Sequence, residues 1–442
     1  MKVVAERTLE LAKLEPVALK AANDSLKDDI DWLWLPETFR AMRHRNYRLF
    51  WAGVFTSNIG NWIQNVAQGY LVYQLTNSPF MVGLVSFANS LPILLFSLAG
   101  GLLADRLEKR KVLLLTQSVM MACILIMSLL TFGAMINIWH IIALSSIIGT
   151  ATAFNAPSYM SLTSELVGRE DLTNAIALNS TQFNLSRLIG PTIAVLLAAA
   201  VGLAGCFLVN GFSYLAVIAS LLILRIPAVA KPKLATGSAL ANLREGFSYL
   251  RQHPDLLTLV GMAGMLTIFA FPYAALMPVM ARDVLHQGIG GQGWLMTSMG
   301  VGATAGALTL ARMSDYPNKG RLAVLGFFTF SVALFAFSQS QEMWFSMLAL
   351  VVQGGGMITF MANGNTILQS TVPGELRGRV LSIWTLCNMG LVPFGSIQAG
   401  AVAENFGAPA ALGVGAIVCF VFVALIATFR PQMWQLRIIQ EW

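Results

Sequence analysis

Apolar residues run for about twenty positions at a time along most of this chain, and the short stretches between the runs hold nearly all of its charge. A helix of that length crosses the hydrocarbon core of a bilayer. About twelve such runs recur. They lie at Phe50 to Tyr73, Met81 to Leu103, Val112 to Ile136, Trp139 to Leu162, Leu172 to Ala200 and Phe207 to Ile226, then at Leu256 to Val279, Trp294 to Leu310, Leu322 to Phe337, Met343 to Leu368, Val380 to Ala403 and Ala410 to Thr428. The pattern predicts an all-α membrane protein with twelve transmembrane helices.

After the sixth run the pattern breaks: Pro227 to Asp255 brings in Lys231, Pro232, Lys233, a Gly-Ser segment and Arg244 to Arg251. The chain therefore divides into a tail (1–45), a six-helix half (46–226), a central loop (227–255), a second six-helix half (256–430) and a second tail (431–442). The halves echo each other, as weak internal repeats do. Leu166-Val167-Gly168-Arg169-Glu170-Asp171 precedes the fifth run and Thr371-Val372-Pro373-Gly374-Glu375 the eleventh, with Gly190-Pro191 and Pro393 with Gly395 following at comparable offsets. In the first tail, Val3 to Lys13 and Trp32 to Arg48 have the pattern of amphipathic helices lying on a membrane surface, or of a disordered lead-in with a basic flank.

Composition and charge agree with this. With 56% hydrophobic residues and a mean hydropathy of +0.68, the chain cannot cover a water-soluble surface. Lys and Arg are retained on the cytoplasmic side of a membrane. If both termini are cytoplasmic, all but two of the 28 basic residues fall on that side; the exceptions are Arg187, within a span, and Arg282, in an outer loop. The net charge of +7 thus reports topology. It forms no continuous stripe of the kind nucleic acid requires. Cys123, Cys206, Cys387 and Cys419 lie in or at the edge of spans as packing residues, and neither they nor the four dispersed histidines have metal-ligand spacing. No nucleophile-base pair suggests an enzyme, and no cofactor or metal is expected.

Polar groups inside spans are informative because hydrocarbon penalises them unless they face protein or water. Asn58, Asn61, Asn65 and Gln68 share one face of the first run, with Gln64 beside them and Trp62 adding a flat surface. They read as a cavity lining, the alternative being hydrogen bonds between helices. Asn155 and Ser158, Tyr273, Gln353, Asn363, Trp384 and Asn388 are expected to face it. Arg187 lies midway along the fifth run, where an arginine costs roughly 2.5 to 3.5 kcal/mol on insertion scales. It either attracts an anionic group on a solute or bonds to carbonyls freed by Pro191 and to nearby amides. No Asp or Glu lies near the middle of any run.

Between the second and third runs stands Gly101-Leu-Leu-Ala-Asp105-Arg106-Leu-Glu108-Lys109-Arg110-Lys111. It resembles the signature loop after the second helix of major facilitator superfamily transporters. The resemblance implies that Gly101 packs closely and that Asp105, with Arg106, Lys109 and Arg110, latches the two halves on the cytoplasmic face. Glu108 stands where the family usually has a second glycine. Asn46-Tyr-Arg-Leu-Phe-Trp51, Ser57-Asn-Ile-Gly-Asn-Trp62, Leu166 to Leu172, Ala177-Leu-Asn-Ser180 and Arg187-Leu-Ile-Gly190-Pro191 look like the enterobactin-exporter and macrolide-efflux branch. Gly190 and Pro191 resemble that superfamily's antiporter motif in helix packing, although Ala194 stands where another glycine is common.

The resemblance implies two pseudo-symmetric six-helix bundles, both termini cytoplasmic, in a bacterial inner membrane. It implies a monomer that exports an amphipathic small molecule by alternating access within the lipid bilayer, with protons as coupling ion. An uptake permease, a lipid flippase and a non-transporting membrane receptor or assembly factor are the other readings.

Overall fold

The computed structural model describes residues 36–224, 239–313 and 316–435. The segment from Val3 to Lys13, most of the first tail and residues 227–238 lie outside the described residues, as do the side chains of Asp105 and Arg106. The described residues form helices joined by short turns: α1 Arg45–Thr76, α2 Pro79–Arg106, α3 Lys109–Phe132 and α4 Ile138–Gly168. Next come α5 over 170–201, α6 over 203–223 and α7 Ala239–Gln252. The remainder are α8 Pro254–Val284, α9 Gly288–Arg312, α10 Lys319–Ser338, α11 Met343–Thr371, α12 Gly374–Phe406 and α13 Ala408–Phe429.

Among the described residues, 10 helical segments are long and apolar enough to cross a membrane. Their outward faces carry large apolar side chains such as Leu115, Leu129, Trp139, Leu196 and Phe429, each 65% or more exposed, as suits a surface covered by lipid. The chain is a multi-pass membrane protein.

Glycine at positive φ makes several corners, among them two in the first six helices. Gly168 (φ 72) separates α4 from α5, and Gly202 (φ 71) separates α5 from α6, both in a region that side chains with a Cβ avoid. In the second half the corner between α11 and α12 is made by extended Val372 and by Pro373 instead.

Three wide π turns interrupt the later helices, at Leu266–Ala270, Met280–Val284 and Leu386–Gly390. The first and third lie just ahead of Pro272 and Pro393, whose missing N–H and ring disturb the helical ladder. Gly395 packs α12 onto the first of them: a Cβ there would stand 2.6 Å from the Thr267 carbonyl oxygen.

The structure corrects two expectations, on the Trp32 to Arg48 stretch and on Arg282, and adds a helix in the central segment. The stretch from Trp32 to Arg48 is not one amphipathic helix: Glu37–Arg43 forms a 3₁₀ turn, His44 is extended, and α1 starts at Arg45. Contacts to α5 override the periodicity. Arg40 pairs with Asp171, which holds the guanidinium above its ordinary value by hydrogen bond and charge. The Ala41 N–H donates to Asn174 Oδ1 at 2.8 Å, and His44 Nε2 meets Asp171 Oδ2 at 2.7 Å. The central loop contains α7, whose Glu245 pairs with Arg379 on α12 and whose Leu250 is fully buried. Arg282 belongs to the last turn of α8 rather than to a loop.

Asn61 and Gln64 bind α1 to α6. Tyr214 Oη donates to Asn61 Oδ1 at 2.8 Å, and Asn210 Nδ2 donates to Gln64 Oε1 at 2.6 Å. Replacing Asn210 with alanine leaves that buried oxygen unsatisfied. The expected loss is about 1 kcal/mol, the scale of such bonds between membrane helices, read as a lower unfolding midpoint in detergent with solute binding unchanged.

Candidate functional site: a cavity between two helix sets

Helices α1–α6 and α8–α13 meet along a seam, and the contacts that join them gather at one end, the end bearing the turns 77–78, 285–287 and Gly407. Tyr73 Oη donates to Asp283, and Arg282 lies over the Tyr73 ring at 5.2 Å. Ser78 Oγ and the Phe80 N–H both donate to Glu404 Oε2, at 2.8 and 3.1 Å. Deeper in, Thr192 and Thr297 hydroxyls meet at 3.0 Å, and Gln292 Nε2 donates to the Val66 carbonyl at 3.2 Å. Small residues permit this approach. A Cβ on Gly83 of α2 would stand 2.4 Å from the Ser396 carbonyl oxygen of α12, and one on Gly293 of α9 would stand 3.0 Å from the Pro191 carbonyl oxygen of α5.

Above this seal lies a cavity in two adjoining lobes. One, of about 230 Å³, is lined by Trp62, Arg187, Phe271, Tyr273, Met277, Met299 and Met357 among others. The other, of about 290 Å³, is lined by Asn65, Gln68, Ser86, Pro278 and Gln292, and shares Trp62, Ala274 and Met296 with the first. Its wall draws on α1, α2, α5, α8, α9 and α11, so both helix sets contribute. The π turn before Pro272 is the local feature that carries Phe271 and Tyr273 to the wall. Gly190 does the same for Trp62: a Cβ on Gly190 would stand 2.4 Å from Trp62 Cβ.

Arg187 carries the one formal charge among the residues that line the cavity. Its Nη2 donates to Asn184 Oδ1 at 3.1 Å, while its buried Nε has no hydrogen-bond partner among the described residues. The Tyr273 hydroxyl points to the Met299 sulfur. The rest is thioether, aromatic and amide, a surface that can hold a bulky apolar body softly and fix it at a few polar points.

The expected site residues separate accordingly. Asn65, Gln68, Arg187 and Tyr273 line the cavity, and Gln68 is held by donating to Ser145 Oγ at 3.0 Å. Asn61 and Gln64 face α6 instead, and Asn58 is half-buried outside the lining. Asn155 accepts from Thr116 and Gln117 of α3. Ser158 and Asn363 bond to carbonyls of their own helices, as does Asn388, to Trp384. Trp384 packs on Phe360 at 5.9 Å and against Gly364. Gln353 is fully buried one turn from Met357, with neither head atom bonded among the described residues.

The loop between α2 and α3 also differs from its expected arrangement. The close approach falls to Gly100, where a Cβ would stand 2.3 Å from the Ala153 carbonyl oxygen; Gly101 has nothing within 4 Å. Lys109 pairs with Glu165 of α4, and Arg110 Nη2 donates to the Leu222 carbonyl of α6 at 2.8 Å. Both basic groups are therefore engaged within their own helix set.

The sequence reading missed Phe271, Met277, Met296, Met299 and Met357 in the wall, and Tyr73, Asp283 and Glu404 in the seal. The adjacent charges Arg282-Asp283 at the close of a span are the one signal that pointed toward the seal.

Comparison with known proteins places this arrangement. Residues 37–439 match the family model described as transmembrane secretion effector. The staphyloferrin A transporter of Staphylococcus aureus is 25% identical over 364 residues, covering 81% of this chain and 90% of the relative. The multidrug efflux pump Tap of Mycolicibacterium fortuitum is 26% identical over 400 residues, 87% and 96% of the two chains. The enterobactin exporter EntS of Shigella boydii is 26% identical over 402 residues, 89% and 94%. Among solved structures, a POT family transporter superposes with a TM-score of 0.72 at 13% identity, over 88% of this chain and 96% of the other. The nucleoside transporter NupG does so at 0.70 and 13%, over 87% and 99%. At these identities the likeness establishes the fold.

Proposed function

Because this chain belongs to the transmembrane secretion effector family of the major facilitator superfamily, we propose that it exports an amphipathic small molecule, of the siderophore, macrolide or drug type, across a bacterial inner membrane. The observation that carries this is the cavity itself: a bulky apolar chamber with a few polar points, walled by both helix sets and sealed at one end by contacts between them.

Twelve crossings follow if α1 counts as a span despite its amides and if 170–223 crosses twice. That segment is 54 residues long, about 80 Å as straight helix at 1.5 Å per residue, far beyond a core of about 30 Å. Gly202 supplies the corner. Both termini then lie with the basic loops in the cytoplasm, and the seal is on the outer side, so the chamber faces inward.

In this reading residues 46–226 and 256–430 are two halves that rock about the chamber, as a monomer, with protons as coupling ion. Opening outward requires the Tyr73–Asp283 and Ser78–Glu404 contacts to part. Closing inward calls on Asp105 with Arg106, Lys109 and Arg110, which would have to exchange the bonds of Lys109 and Arg110 to Glu165 and Leu222. Changing Asp105 to Asn is accordingly expected to reduce export several-fold while leaving insertion intact.

The direct test is flux of siderophores, macrolides and lipophilic cations into inverted vesicles, with and without a proton gradient. Gradient-dependent accumulation of one class supports the proposal. No accumulation of any class would overturn it.

A further inference from the structure

We infer that the cavity selects anionic amphiphiles: solutes that join an aromatic or branched apolar body to a carboxylate or similar acidic group, which Arg187 receives. The inference rests on reading the cavity as the cargo site.

The argument is one of charge balance. Arg187 stays protonated under all conditions a cell offers, and it stands in a wall otherwise made of Trp62, Phe271, Tyr273 and four methionines. Among the described residues no carboxylate pairs with it; its hydrogen bond is to a neutral amide, Asn184 Oδ1 at 3.1 Å. Asn184 occupies one edge of the guanidinium and so orients the group, while the buried Nε is left as an unbonded donor. A fixed cation in surroundings of low polarity attracts an anion far more strongly than it would in water and repels a second cation just as strongly. A planar guanidinium also presents paired donors that match the two oxygens of a carboxylate.

The remaining lining agrees. No carboxylate lines it to neutralise a cationic drug, since Asn65, Gln68, Ser86 and Gln292 are neutral and the carboxylates of the seam, Asp283 and Glu404, are engaged with Tyr73, Ser78 and Phe80 at the outer end. The methionines and aromatic rings take the apolar body, so the acid and the body are recognised by different walls.

The test keeps the apolar body constant and varies charge. Binding of 2-naphthoate, 2-naphthamide and 2-naphthylmethylammonium to the full chain in lipid nanodiscs is measured by equilibrium dialysis. The acid is expected to bind at least about tenfold more tightly than the amide, the scale of one hydrogen bond to a charged group, with the ammonium weakest. In Arg187→Gln the three affinities should fall within about twofold of one another, and Arg187→Lys should retain part of the preference because it keeps the charge but not the fork. Absence of a naphthoate preference in the native chain, or its persistence in Arg187→Gln, overturns the inference.

Flux in inverted vesicles separates this from the export reading. Accumulation of the ammonium and not the acid would leave export standing and remove the anion selectivity. Arg187-dependent binding of naphthoate without flux of any solute would do the reverse.

Discussion

Replacing Gly83 with valine is expected to abolish export while leaving the protein folded and inserted. Gly83 sits where α2 of the first half meets α12 of the second. A Cβ would stand 2.4 Å from the Ser396 carbonyl oxygen and 3.2 Å from Gly400 Cα, both backbone and so unable to swing aside. Gly400 is equally tight from the other direction, 3.1 Å from the Pro79 carbonyl oxygen. The contact joins the two helix sets and is no part of either set's interior, so in the proposed alternation a valine disfavours only the arrangement in which this end is sealed. Overpacking of this kind costs about 1–3 kcal/mol, enough to shift a two-state balance by roughly one to two orders of magnitude. The variant should rest open to the outside. An impermeant maleimide added externally should then label Ser86→Cys, on the cavity wall, several-fold faster in the Gly83→Val background, with flux reduced to background. Normal flux would show that the sealed state is not needed for the cycle.

Gly149→Val makes the opposite prediction from similar geometry. Gly149 lies within the first half, between α4 and α2, where a Cβ would stand 1.9 Å from the Asn89 carbonyl oxygen. One turn earlier, Ser145 binds both neighbours: Asn89 Nδ2 donates to its carbonyl at 3.1 Å and Gln68 Nε2 to its hydroxyl at 3.0 Å. A valine would force α4 from α2, break the Asn89 bond and displace the Ser145 hydroxyl that Gln68 of α1 holds, within one helix set rather than between the two. The expected result is a loss of about 3 kcal/mol or more, at the upper end of overpacking effects, seen as poor yield and early unfolding in detergent whatever solute is present. A well-folded Gly149→Val protein with altered labelling only would mean that α2 and α4 shift relative to each other during transport. The two glycines together separate folding from switching, since similar crowding acts inside one half in one case and between halves in the other.

Much of this architecture was legible in the sequence, because bilayer thickness imposes a length on every span. The internal echo around Leu166 and Thr371 also fell at equivalent corners, though one is made with a glycine at positive φ and the other with proline. What periodicity could not decide is which side of a helix meets its own half and which meets the other. On α1 the amides alternate in use: Asn61 and Gln64 bind α6, and Asn65 and Gln68 reach the cavity, although all lie within a narrow arc. Arg187 announced itself by its cost in hydrocarbon. The methionines of the wall did not, since methionine is ordinary in any membrane helix and only the π turn at Leu266–Ala270 and the crossing of α8, α9 and α11 bring them together. The seal was hidden for a related reason: Tyr73 and Asp283, and Ser78 and Glu404, are distant in sequence and meet only across the seam between the two helix sets.

The amide network of α1 has a consequence for how the protein is made. This helix is made well before α6, yet its polarity keeps it outside the set of segments that qualify as spans by composition, and the partner for its buried Gln64 is Asn210, 146 residues later. At the usual 5–20 residues per second of synthesis, that partner arrives on the order of ten seconds after it. Until then the Gln64 oxygen lacks the α6 donor that holds it in the folded chain, so α1 is expected to settle fully into the bilayer only after α6 has been made.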